Sequence, residues 1–262
     1  MGKIIAVANQ KGGVGKTTTT VSLSAVLAEK GYNILLIDSD PQGNATSSLG
    51  IDKKMDLSLY NALIEDDVEI EQTFKRTSIP TLLLCPSNIN LAGAEVELVS
   101  LMSREQRLKN KLMDVKDKFD YIFIDCPPSL GLITLNALTA ADSVLIPIQC
   151  EYFALEGLTQ LSNTINLVKK HLNRDIEIEG AVLTMYHSIT NLSNNVVKDV
   201  RNFFKGKVFQ TVVPRNVKLS EAPSFGMPIT EYDAKSAGAL AYQKLGEELI
   251  LKNTNDKGGV SD

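Results

Sequence analysis

No stretch of the 262-residue chain runs for the roughly 18 apolar residues that a membrane-spanning helix needs. The N-terminus leads straight into a short strand-like run, with no charged-then-apolar leader, so neither export nor a membrane span is expected. Cysteine is scarce. Cys85, Cys126 and Cys150 lie far apart with no C-x-x-C pair, and they read as small core residues in a reducing compartment rather than as metal or cluster ligands. Linkers, internal repeats and low-complexity segments are missing until the last ten residues, so a single domain over residues 1–252 is expected. The polar, glycine-bearing end from Asn253 to Asp262 is expected to be a disordered tail. A positive charge balance is lacking too. The net charge of −4 argues at face value against nucleic acid.

What is present is ordinary in bulk, with 44% hydrophobic and 22% charged residues, and specific in one place. The apolar run Lys3-Ile-Ile-Ala-Val-Ala8 leads into Lys11-Gly-Gly-Val-Gly-Lys-Thr-Thr18. A strand that passes through glycines into Lys-Thr at a helix start is built to hold a polyphosphate. The glycines let successive N–H groups point inward, and the helix aims its positive dipole end at the same anion. Gly12, Gly13, Val14 and Gly15 would wrap the phosphates with Thr18, Lys16 would reach the β- and γ-phosphates, and Thr17 would ligate Mg²⁺. The strict Walker A spacing asks for glycine where Gln10 stands, and Lys11 follows it.

Downstream, Asn33-Ile-Leu-Leu-Ile-Asp38 is apolar throughout, as expected of a strand buried on both faces of a parallel sheet. Asp40 precedes Pro41 and is biased to stay extended, so Asp38 and Asp40 point the same way, beside the phosphate loop. A carboxylate turn with local hydrogen bonds is the other reading of that segment. Tyr121-Ile-Phe-Ile-Asp125 has the Walker B form, in which the aspartate holds Mg²⁺ directly or through water. Residues 51–79 are hard to read beyond short helices near 58–64 and 70–74, and residues 92–116 read as helix-rich. Strands near 82–86, 143–148 and 176–184 alternate with helices near 16–30, 133–141 and 154–172. The expected fold is therefore α/β, a single-domain P-loop NTPase with a mostly parallel twisted sheet and helices on both faces.

The acidic chain conceals a basic segment. From Tyr186 to Ser220 the charge is +5, leaving −9 for the rest. A helix near 194–204 places Val196, Val197, Val200, Phe203 and Phe204 on one face and Lys198, Arg201 and Lys205 on the other, with Arg215 and Lys218 on a loop beyond. This pattern suits either a solvated helix face or sequence-independent contact with a phosphate backbone.

With these motifs assembled, the chain resembles the ParA/Soj chromosome- and plasmid-partitioning ATPases, closest to the short chromosomal Soj type. The likeness runs from Met1 to about Leu251. It rests on the phosphate loop, Asp38-Ser-Asp-Pro-Gln-Gly-Asn44, Ile124-Asp-Cys-Pro-Pro-Ser-Leu-Gly131, Gln149-Cys-Glu-Tyr-Phe-Ala-Leu-Glu-Gly157 and Pro214-Arg-Asn-Val-Lys-Leu-Ser-Glu-Ala-Pro223. The longer plasmid type, with an N-terminal helix-turn-helix domain, does not fit. The resemblance implies an ATPase in which Lys11 crosses a sandwich dimer to the phosphates of the other subunit. Lys16 and Thr17 would serve ATP and Mg²⁺, Asp38 and Asp125 would complete the metal site, and Asp40 would position the attacking water. Pro214 and Asn216 would lie near the adenine. It further implies an ATP-dependent homodimer, non-specific double-stranded DNA and a ParB-type centromere-binding protein as partners, with no membrane and a cytoplasmic, nucleoid-associated location. One departure stands out, because Ile189 occupies a position where the family commonly has an arginine associated with DNA.

The competing expectation is a MinD-like membrane-positioning ATPase, which shares the phosphate loop but ends in a basic amphipathic helix. A nitrogenase iron-protein type would need a second cluster cysteine to pair with Cys126. A nucleotide-switched scaffold with vestigial hydrolysis is at odds with Asp40.

Overall fold

In the computed structural model, which describes residues 2–152, 154–187 and 191–258, the apolar runs become the middle of one sheet. Its strands are β1 (Lys3–Val7), β2 (Ile34–Asp38), β3 (Lys75–Arg76), β4 (Leu82–Cys85), β5 (Tyr121–Asp125), β6 (Ser143–Gln149), β7 (Glu177–Tyr186) and β8 (Val208–Pro214). They are ordered β3-β4-β2-β5-β1-β6-β7-β8. Only β3 with β4 is antiparallel, so the C-terminal ends of the other strands share one edge.

Helices α1 (Lys16–Glu29), α2 (Asn44–Ser48), α3 (Leu59–Ile64), α4 (Leu91–Glu97), α5 (Arg107–Leu112), α6 (Leu132–Ala140), α7 (Leu158–His171), α8 (Asn191–Phe204), α9 (Val217–Glu221), α10 (Ile229–Tyr232) and α11 (Ala237–Gly258) cover both faces. Strand alternation divides the core. Ile4, Ala6, Ile122 and Ile124 pack with residues of α3 to α8, while Ile5, Val7, Tyr121 and Phe123 pack with α1 and α11. Burying one such Ile or Leu contributes about 1.5–3 kcal/mol, and Phe123→Ala would cost about 3–5 kcal/mol.

The expected fold is the observed one, with four local differences. β3 and β8 were not anticipated. α7 starts at Leu158 rather than near Ala154, because Gly157 takes a left-handed conformation at its N-cap (φ 80°). α11 continues to Gly258, so the tail expected from Asn253 onward begins inside a helix. Asn253 is 5% exposed and its Oδ1 accepts a hydrogen bond from Lys3, so a residue that looks solvent-directed in sequence is tied to β1. On α8, Val196, Val200 and Phe204 are buried as expected, but Phe203 is 43% exposed. The three cysteines are buried and unpaired. Among the described residues, no helix is long and apolar enough to cross a membrane.

Candidate functional site

β1 ends at Val7, and the loop that follows is held from two sides before α1 begins. Asn9 donates from Nδ2 to the Pro147 carbonyl (2.8 Å) and accepts the Lys11 amide at Oδ1 (3.0 Å). Thr184 Oγ1 donates to the Val14 carbonyl (2.8 Å). Gly15 caps α1 at φ 87°, a conformation that costs glycine nothing and any side chain strain. Lys16, 7% exposed, donates to the Lys11 carbonyl (3.1 Å). Burial pushes its pKa down, and the charge of Asp125 partly offsets this. The Lys11 ammonium has no partner among the described residues.

The adjacent strands β2 and β5 put Asp38 and Asp125 directly opposite each other in register, at the strand ends beside the loop. Both are fully buried, and Asp40 is 8% exposed. Asp125 accepts from Thr17 Oγ1 at Oδ2 (2.7 Å) and from Thr20 Oγ1 at Oδ1 (3.1 Å). Asp38 Oδ2 accepts from the Thr46 amide (2.8 Å) and hydroxyl (2.7 Å), and its Oδ1 accepts the Asp40 amide (3.2 Å). The turn reading of the Asp38–Asp40 segment is therefore seen directly in its hydrogen bonds. The carboxylates line the strand ends, and they also make short-range turns, with Asp40 Oδ1 accepting the Gln42 amide (2.9 Å).

Burial pushes Asp125 up to about 8, with the neighbouring charge of Asp38 adding to it, and burial pushes Asp38 up to about 6 against the Thr46 hydrogen bonds. Two buried carboxylates side by side, with threonine hydroxyls against both of them, form an all-oxygen donor set that suits a hard divalent cation. Both acids bind protons more tightly folded than unfolded. Their contribution to stability is thus complete below about pH 4 and is lost as pH rises through 8. Metal- and nucleotide-free protein should lose about 2 kcal/mol from Asp125 between pH 6 and 8, lowering its melting temperature by about 4–8 °C. Asp125→Asn should remove most of that slope, measured by thermal melts across the range. Identical slopes would mean that Asp125 ionises at no cost.

A cavity of about 230 Å³ opens beside the loop, lined by Gly15, Thr18, Thr184, Pro214, Asn216 and Tyr242, among others. It brings both residues expected near an adenine next to the phosphate loop. Asn216 itself caps α9 by accepting the Lys218 amide (3.0 Å). A larger concavity of about 560 Å³ lies at the opposite, N-terminal end of the strands, among charges that are already paired, such as Lys116 with Asp142. The chemistry stands at the smaller one.

Sequence reading had missed Asn9, Thr20, Thr46, Thr184 and Tyr242. Tyr242 is fully buried and shares a hydrogen bond with Thr19 of α1 (3.0 Å). None sits in a motif whose spacing points to phosphate, since their roles depend on distant partners.

The basic residues are spread over two elements of the structure. Lys198, Arg201 and Lys205 are exposed along α8 and just after it. Arg215 and Lys218 lie past the far end of β8, seven residues or about 23 Å of strand away from its start. Those two are also engaged, Arg215 with Glu151 (3.3 Å) and Lys218 with Glu221 (2.9 Å) and the Tyr232 ring. Ile189 lies outside the described residues.

A family profile described as an AAA domain matches residues 2–178. Sporulation initiation inhibitor protein Soj of Bacillus subtilis (strain 168) is 58% identical over 250 residues, spanning 95% of this chain and 98% of its own. Chromosome partitioning protein ParA of Myxococcus xanthus (strain DK1622) is 53% identical over 255 residues, spanning 97% and 90%. Among solved structures, cobyrinic acid a,c-diamide synthase from Mycobacterium smegmatis with bound ADP and magnesium aligns at a TM-score of 0.86 and 41% identity, spanning 97% of this chain and 96% of that one.

Proposed function

The chain belongs to the Soj/ParA family of chromosome-partitioning ATPases, and we propose that it binds DNA non-specifically as an ATP-dependent sandwich dimer and is released when a ParB-type centromere-binding protein stimulates hydrolysis. The observation that carries this reading is the register pair Asp38–Asp125 set against Thr17 and Lys16 at the end of a glycine-rich loop. The reading follows the relatives at 53% and 58% identity rather than the differently named synthase at 41%.

ATP would sit with its phosphates in the loop from Lys11 to Thr18 and its base in the cavity at Pro214 and Asn216. Thr17, Asp125 and Asp38 would hold Mg²⁺, which when bound supplies charge neutralisation at the phosphates. Lys16 is already buried beside the site, so its charge acts where water screens it least. In-line phosphoryl transfer needs positioning and charge stabilisation more than covalent help. Asp40 would orient the water, and the partner's copy of Lys11 would complete the charge on the γ-phosphate.

For DNA, the exposed cations on and just after α8, together with Arg215 and with Lys218 on α9 rather than on a loop, act as contacts with the phosphate backbone. Arg215→Glu should weaken ATP-dependent DNA retention by at least about tenfold, and wild-type affinity should fall linearly in log–log with salt. Gel shifts at several salt concentrations, with ATP binding measured in parallel because Arg215 also lines the base cavity, check this. A flat salt response would overturn backbone contact. The whole cycle is tested by ATPase assays with DNA and a ParB-type partner, separately and together, where strong activation is expected only with both. Pelleting with liposomes and ATP would instead favour the membrane-positioning alternative.

A further inference from the structure

Asp38 and Asp125 stand opposite each other on neighbouring strands, yet their hydrogen bonds are distributed differently. A carboxylate oxygen has about two lone pairs with which to accept. Asp125 uses one on each side, taking Thr17 at Oδ2 (2.7 Å) and Thr20 at Oδ1 (3.1 Å). Asp38 is loaded on one side. Its Oδ2 takes both the amide (2.8 Å) and the hydroxyl (2.7 Å) of Thr46, while its Oδ1 takes only the Asp40 amide (3.2 Å). Counting partners among the described residues, Oδ1 is the oxygen of Asp38 with a lone pair still open.

A threonine hydroxyl can donate or accept, so a Thr–Asp contact alone does not say which way the proton points. Here the direction is set from behind. The Ser87 amide, which can only donate, reaches Thr46 Oγ1 (3.0 Å), so the hydroxyl accepts there and gives its one proton to Asp38. Ser87, Thr46 and Asp38 are all fully buried. The far end of this chain is itself closely packed. Ser87 follows the end of β4 by two residues, and Gly43 caps α2 at φ 61°. A Cβ on Gly43 would stand 3.0 Å from the Ser87 carbonyl. The turn after β2, the start of α2 and the segment leaving β4 thus meet at one point, and the Thr46 hydroxyl links them to Asp38.

We infer that Thr46 is a positioning residue for the divalent cation: it holds Asp38 by Oδ2 and leaves Oδ1 to serve the metal. This rests on the reading above that Asp38 serves Mg²⁺. A small ion with strict octahedral demands is poorly matched by a carboxylate free to turn or to offer both oxygens. Two hydrogen bonds on one oxygen remove that freedom before the ion arrives. Partners of this kind behind a metal ligand are typically worth about 10–100-fold in metal affinity.

The test is titration of ADP binding with Mg²⁺, with affinity in EDTA as the metal-free baseline. Thr46→Val should raise the Mg²⁺ concentration for half of the metal-dependent tightening by at least about tenfold, with ADP affinity in EDTA within about twofold of wild type. Thr46→Ser keeps the hydroxyl and should titrate like wild type. Should the valine variant fail to fold because it strands the buried Ser87 amide, Thr46→Ala carries the same comparison with room for a water at that amide. A lowered melting temperature with an unmoved Mg²⁺ midpoint would make Thr46 merely structural and overturn the inference. Asp38→Asn separates this from the reading beneath it. A shifted midpoint in Asp38→Asn beside a normal one in the Thr46 variants removes the role of Thr46 alone. An unshifted Asp38→Asn removes Asp38 from the metal, and the inference goes with it.

Discussion

Asp40→Ala should lower ATP hydrolysis by about 100-fold or more while leaving ATP affinity within a few-fold of wild type. Asp40 sits at the mouth of the buried pair, 8% exposed, two residues past the end of β2. One of its oxygens is fixed by the Gln42 amide, and Pro41 keeps its backbone out of the helical region. The other oxygen has no partner among the described residues, which leaves a positioned acceptor near Lys16 for a water. Loss of that acceptor removes an interaction that matters in the transition state more than in the bound ground state, so turnover falls and binding stays. Bound ATP then outlives the normal cycle, and sizing or sedimentation with ATP should show a persistent dimer where wild type returns to monomer. Single-turnover hydrolysis is the direct measurement. A variant that hydrolyses at the wild-type rate would move water positioning to another residue.

The parts of this site that could be read from sequence share a physical cause. Strands buried on both faces must be apolar throughout, so β2 and β5 stand out, and a carboxylate at the end of each is conspicuous because it breaks the run. The phosphate loop is legible because glycine, lysine and threonine each have a backbone or charge role at fixed spacing. What failed to show is made by tertiary contact. Thr46 looks like any polar residue in a short helix, yet it supplies two of the hydrogen bonds that keep Asp38 in place. Asn9 and Thr184 hold the loop from strands far away in sequence. β8 was hidden because an edge strand mixes polar Gln210 and Thr211 with its apolar residues and ends in proline. The charge count from Tyr186 to Ser220 carries no placement: Lys198 and Arg201 fall on α8, Lys205 just after it, Arg215 after β8 and Lys218 on α9. Composition does not know where a chain turns back.

Lys11→Ala and Asp40→Ala should each be nearly inactive alone, and an equimolar mixture of the two should recover about a quarter of wild-type ATPase activity. The reasoning follows from which groups belong to which subunit. In the sandwich reading, each site takes its loop, Lys16, Thr17 and Asp40 from one chain and the Lys11 ammonium from the other. The Lys11 backbone is committed to its own loop, because its carbonyl accepts from Lys16 and its amide donates to Asn9, but its ammonium has no partner among the described residues. In a mixed dimer, the subunit carrying Lys11→Ala still has its own Asp40 and receives an intact Lys11 from its partner. That site is whole, while the other lacks both groups. Random pairing makes about half the dimers mixed, each with one whole site of two. The assay needs only purified chains, DNA and a ParB-type partner under the conditions that activate wild type. If Lys11 instead served the phosphates of its own subunit, both sites of every mixed dimer would stay damaged, and the mixture would be no more active than its parts.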